Sequence, residues 1–150
     1  MLASYPAALE AVIMAAQVAV QGVIFDRLLC PFDALPFGVA LGLRTGVPLV
    51  YSRGSAEQPV SDLIGAYDIG HPALLLTNSV GWEAHPDHLI KGAKRVGLET
   101  HTLLTILETR PVTEGVKVVP LLRLSDMVGE LEAVGRIPAR HAQIVRDWLR

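Results

Sequence analysis

Residues 73–97 constrain the fold more than any other part of the chain. They read ALLL, then TNSVGWEA, then HPDHLIKGAKRVG. Four consecutive apolar residues, 73–76, are too few for a helix and suit a buried strand. Beyond the loop, Pro86 fits the first helical position and Asp87 the positive end of a helix dipole. Leu89, Ile90, Ala93 and Val96 recur on one helical face, Lys91, Lys94 and Arg95 suit the last turn, and Gly97 ends it. Buried strand, loop and amphipathic helix make up one half of a crossover unit, which requires a parallel strand beside the first. Free backbone N–H groups and the helix dipole converge on such a loop, so it is also where a ligand is expected.

The same alternation runs through the chain. Helical spacing of Leu9, Val12, Ile13, Ala16 and Val20 predicts a helix over 7–21, followed by a strand at 25–30 that Pro31 closes. A short helix over 35–44 and a strand at 47–52 come next. Residues 53–72 carry Gly54, Pro59, Gly65, Gly70 and Pro72 with no sustained period and read as a long loop, a length that is usually functional. Further strands are expected at 100–108 and at 116–122, where Pro120 indicates a bulge or an edge. Ser125 reads as the N-cap of a helix over 127–134, and a last helix spans 139–149. These elements predict an α/β fold: a mostly parallel five-stranded sheet with helices on both faces, in one domain over 1–150.

Composition narrows the partners. Half of the residues are hydrophobic, 19% are charged and the formal net charge is -2, so no nucleic-acid footprint is expected. The apolar stretch 7–25 is interrupted by Glu10, Gln17, Gln21 and Gly22, and no basic segment precedes it, so neither a membrane span nor a signal peptide is read there. The single cysteine, Cys30, excludes an internal disulfide and a multi-cysteine zinc site, and fits a cytoplasmic protein with the thiol packed in the core.

In this order, residues 36–53 (PFGVALGLRTGVPLVYSR), 70–99 and 115–128 (GVKVVPLLRLSDMV) resemble the type I phosphoribosyltransferases, and among them the orotate phosphoribosyltransferases. The resemblance covers most of 7–135 and implies their fold and, often, a homodimer. In that family four apolar strand residues precede two acids that hold the ribose hydroxyls of phosphoribosyl pyrophosphate. A Thr- and Gly-rich loop then cradles the 5′-phosphate. Here Thr77 and Asn78 occupy the positions of the acids, followed by Ser79. Gly81, Trp82, Glu83, Ala84 and His85 occupy the cradle.

The replacements change the chemistry. Trp82 is bulky for a loop that wraps a phosphate, and Pro86 removes a donor from the helix start. Glu83 opposes a dianion by about 1–4 kcal/mol at ~4 Å. The loop that grips pyrophosphate and Mg²⁺ in the family is Pro31-Phe32-Asp33-Ala34, without glycine. Residues 54–62 (GSAEQPVSD) hold two acids and no base where the orotate enzymes place lysines and a histidine; Arg53 is the one match. A leaving pyrophosphate needs positive charge as it develops negative charge.

The expected protein is therefore an orotate phosphoribosyltransferase homologue that has lost transfer. It would bind a small molecule such as a nucleotide or a base, or act as a regulatory partner, with no catalytic residue, no metal and no cofactor. The alternatives are an active transferase that uses Arg53, Asn78 and Ser79 on an altered donor, and a purely interacting module. Trp82 either fills the vacated phosphate pocket or stacks a planar ligand. His85 and His88 share a helix start but have no third ligand partner in the sequence. His71, His101 and His141 read as surface or edge residues.

Overall fold

A computed structural model of the chain describes residues 2–53, 63–81, 86–111 and 115–150. The elements in order are α1 (Pro6–Ala19), β1 (Arg27–Cys30), α2 (Leu35–Thr45), β2 (Leu49–Ser52), β3 (Leu63–Gly65), β4 (Pro72–Val80), α3 (Asp87–Arg95), β5 (Glu99–Glu108), β6 (Lys117–Arg123), α4 (Leu124–Ala133) and α5 (Ala139–Leu149), with 3-10 turns at Leu2–Ser4 and Phe32–Ala34. The described residues form one six-stranded sheet in the order β3-β2-β1-β4-β5-β6. All pairs are parallel except β2 with β3.

Strand alternation explains why Leu28, Leu29 and Cys30 of β1 and Ala73, Leu74, Leu75 and Leu76 of β4 are all apolar. Leu74 and Leu76 face one cluster, with Ile13 and Ala16 of α1 and Phe37 and Leu41 of α2. Leu75 faces the other, with Leu89, Ile90 and Ala93 of α3 and Leu103 of β5. A sheet covered on both faces leaves no polar side for its central strands. Phe37 is 2% exposed and Leu41 fully buried, and burial of side chains of this size stabilises by about 1.5–3 kcal/mol each.

The α/β expectation holds, with differences of detail. A sixth strand, β3, lies within the stretch read as a long loop. It pairs antiparallel with β2, Ser52 opposite Leu63 and Tyr51 opposite Ile64. Strand β4 does not stop at Leu76 but continues through Thr77, Asn78 and Ser79 to Val80, which lies opposite Glu108. The ladder with the ten-residue β5 carries those polar residues as strand. Helix α4 begins at Leu124, so Ser125 lies inside it rather than capping it, its hydroxyl bonded to Asp126 Oδ1 at 3.1 Å. Pro120 sits on β6, a sheet edge, as its missing donor requires. After α3, Gly97 adopts a φ of +80°, which lets the chain reverse toward β5 as expected of a helix-ending glycine.

Candidate functional site

Strand order places the site. From β1 the chain moves to β2 on one side and, after β3, returns to pair β4 on the other side of β1. The loops leaving the carboxyl ends of β1 and β4 therefore diverge, and a crevice opens between them, the usual place for ligands in an open α/β sheet. A cavity of about 380 Å³ lies there. Its walls are Leu2, Ala3 and Leu9 from the N-terminal segment, Pro36 and Phe37 from α2, and Ile106 and Leu107 from β5, while Asp33 and Asn78 supply the polar groups.

Asp33 follows β1 within the turn Phe32–Ala34, and its side chain is exposed. Asn78, near the end of β4, donates from Nδ2 to the Asp33 carbonyl at 2.8 Å and to Asp33 Oδ2 at 3.3 Å. The carbonyl fixes the amide's orientation, since only the NH₂ side can face it. Two of the sequence-predicted residues are thus joined across 45 positions of chain, and Phe32 stands beside them, 57% exposed. Cys30, at the end of β1, is fully buried. Burial first, and the neighbouring Asp33 carboxylate second, push its thiol up to about 12. It remains a protonated packing residue.

Other predicted residues are placed elsewhere. Thr77 is 8% exposed, and its Oγ1 has no hydrogen-bond partner among the described residues. Ser79 and Arg53 are exposed, and neither lines the cavity. Gly81 is buried against the end of β5. A Cβ there would collide with Thr109 Oγ1 and lie 3.2 Å from the Arg110 nitrogen. Thr109 also holds the Val80 carbonyl with its N–H at 2.9 Å and its hydroxyl at 3.1 Å. The backbone at Val80 and Gly81 is therefore tied to the following strand. Trp82, Glu83, Ala84 and His85 lie outside the described residues, as do residues 54–62.

The walls contributed by Leu2, Ala3, Leu9, Ile106 and Leu107 were not legible as site residues, because only the folded topology brings the N-terminal segment over the end of β5. His71 is likewise more engaged than a surface residue: its Nδ1 lies 2.7 Å from Asp26 Oδ2, and Arg27 Nη2 is 3.4 Å from its Nε2. Arg27 also donates to the Ala66 carbonyl, which places this cluster at the amino ends of β1 and β4, away from the cavity. Among the described residues no group of three or more His, Cys, Asp or Glu could hold a metal ion, and no helix is long and apolar enough to cross a membrane.

This sheet order, with its antiparallel edge strand and a crevice at the carboxyl ends of β1 and β4, is an open, mostly parallel α/β architecture. No protein-family model and no curated protein matches the sequence. Solved structures do match. The UMP synthase of Leishmania donovani aligns with a TM-score of 0.86 at 21% identity, over 99% of this chain and 34% of that one. The orotate phosphoribosyltransferase of Aeropyrum pernix aligns with a TM-score of 0.73 at 16% identity, over 87% and 80% of the two chains. The adenine phosphoribosyltransferase of Thermoanaerobacter pseudethanolicus aligns with a TM-score of 0.64 at 16% identity, over 81% and 83%. The chain spans about a third of the length of the UMP synthase it matches. What it shares with these proteins is the type I phosphoribosyltransferase fold.

Proposed function

We propose that this protein is an orotate phosphoribosyltransferase-like small-molecule binder that has lost phosphoribosyl transfer, and that it serves a regulatory role as a homodimer. The observation that carries the reading is the bond from Asn78 to Asp33. The residue in the position of a ribose-binding carboxylate is a neutral amide, and its donors are spent on the loop that would otherwise grip pyrophosphate. Two further observations support it. Thr77 is packed into the sheet rather than presented to a ligand, and the space beside Gly81 is filled by Thr109. With Asp33 the charged group lining the cavity, a phosphate about 4 Å away would be opposed by roughly 1–4 kcal/mol. The ligand is accordingly a small base-like molecule without a phosphate rather than a nucleotide.

Turnover of phosphoribosyl pyrophosphate with orotate or adenine, followed by pyrophosphate release, tests the reading. No release above background is expected, and no calorimetric binding of the donor. Release that disappears in Arg53→Ala would instead establish an active transferase with an altered donor site.

A further inference from the structure

The two polar groups that line the cavity have a chemistry of their own. Asp33 is an exposed carboxylate with no cationic partner among the described residues; its one side-chain contact is the Asn78 amide at 3.3 Å. Asn78 spends its NH₂ on Asp33, which leaves Oδ1 as an acceptor with no partner among the described residues. The cavity thus presents acceptors and a negative charge. Around them stand Leu9, Phe37, Ile106 and Leu107. A volume of about 380 Å³ falls at the small end of the ~300–1,000 Å³ common for small-molecule sites. A neutral apolar ligand would leave Asp33 without a counter-ion, and an anion would be repelled by it.

From this lining, whose polar side chains offer the Asp33 carboxylate and the Asn78 amide oxygen, we infer that the cavity takes an apolar organic cation, a single-ring or short aliphatic body bearing a protonated amine or amidine. The ammonium meets Asp33 and Asn78 Oδ1, and the body packs on Phe37 and Ile106. The inference rests on the small-molecule reading of the same site and names its ligand class.

Isothermal calorimetry on the full chain at neutral pH, with benzylamine, benzyl alcohol and benzoate as probes of nearly equal shape, tests it. Benzylamine is expected to bind about tenfold or more tighter than benzyl alcohol, a difference of about 1.4 kcal/mol, with benzoate weakest. The preference should shrink as salt rises, because Asp33 is exposed. Asp33→Asn should abolish the preference of benzylamine over benzyl alcohol. Asp126→Asn, a remote surface change, should leave the preference intact.

Equal binding of all three probes, tighter benzoate, an amine preference that survives Asp33→Asn, or no binding of any probe would overturn the inference. Phosphoribosyl transfer in the turnover assay would overturn the functional reading instead, whatever the probes do.

Discussion

Thr77 offers the sharpest test of the proposed loss of the donor site. It stands where the resemblance puts the first ribose-binding acid, yet it is 8% exposed within β4, opposite Thr105, with its hydroxyl unpartnered among the described residues. A buried polar group without a partner costs about 1–3 kcal/mol. Thr77→Val removes that cost while retaining the branched shape that strands favour. The expected gain is about 1 kcal/mol. Thr77→Asp restores the acid of the family pattern, but buries a carboxylate where the hydroxyl has no partner among the described residues. The penalty for such an ion is several kcal/mol even after relaxation. Urea unfolding reads both variants. With a slope of roughly 1–3 kcal/mol per molar for a domain of this size, the valine variant should raise the midpoint by about 0.3–1 M and the aspartate should lower it by more. A valine variant less stable than the parent, or an aspartate variant equal to it, would refute the account of position 77 as core. An aspartate variant that also gained stability from phosphoribosyl pyrophosphate would show that the donor site had been kept open.

Three further outcomes follow from the geometry. Gly81→Thr should destabilise by about 1–3 kcal/mol, because its Cβ displaces Thr109 and breaks the hydroxyl bond to Val80; thermal melting at equal buffer composition measures it. Cys30 should react with a thiol reagent in urea but not in the native protein. Its folded value of about 12 lies above the ordinary 9.0, so the native state holds its proton longer. Stability is therefore unaffected by this group below about pH 9 and falls by about 1.4 kcal/mol per pH unit from there toward 12, a decline that Cys30→Ala removes. Glu108 is mostly buried beside Arg123, whose Nε lies 3.1 Å from its Oε2. Arg123→Ala should cost about 1 kcal/mol and the double change with Glu108→Gln less, as a double-mutant cycle in urea would show.

The layered fold was legible because most of its elements announce themselves locally: α1, α2, α3, β1, β2 and β5 have the apolar spacing that their burial demands. Two features were not. Strand β3 offers only Leu63 and Ile64 as apolar residues, and β2 has to be in place before they have anything to pair with. The extension of β4 through Thr77, Asn78 and Ser79 lacks apolar signal, yet the ten residues of β5 needed a partner of matching length, and a four-residue strand would have left its second half unpaired on that side. The polar pair of the cavity, Asp33 and Asn78, was visible as two separate candidates. Their bond was not, since nothing in either segment encodes the approach of a turn and a strand end so far apart in sequence. The apolar walls from Leu2 to Leu9 depend on how α1 lies across the sheet.

The bond across 45 residues also has a kinetic meaning. The unit β4-α3-β5 closes over one helix and pairs Leu76 with Leu104, whereas β1 meets β4 only after α2, β2 and β3 have been passed. Contacts with shorter closure form at lower entropic cost, so the β4–β5 half should consolidate first and the β1–β4 seam later. The Asp33–Asn78 bond lies on that seam. Substitutions at Asn78 should accordingly speed unfolding with little effect on the folding rate, which stopped-flow chevrons would reveal. The pocket is then the place where the chain finishes folding, and a ligand that bridges the two halves would fasten the last joint to close.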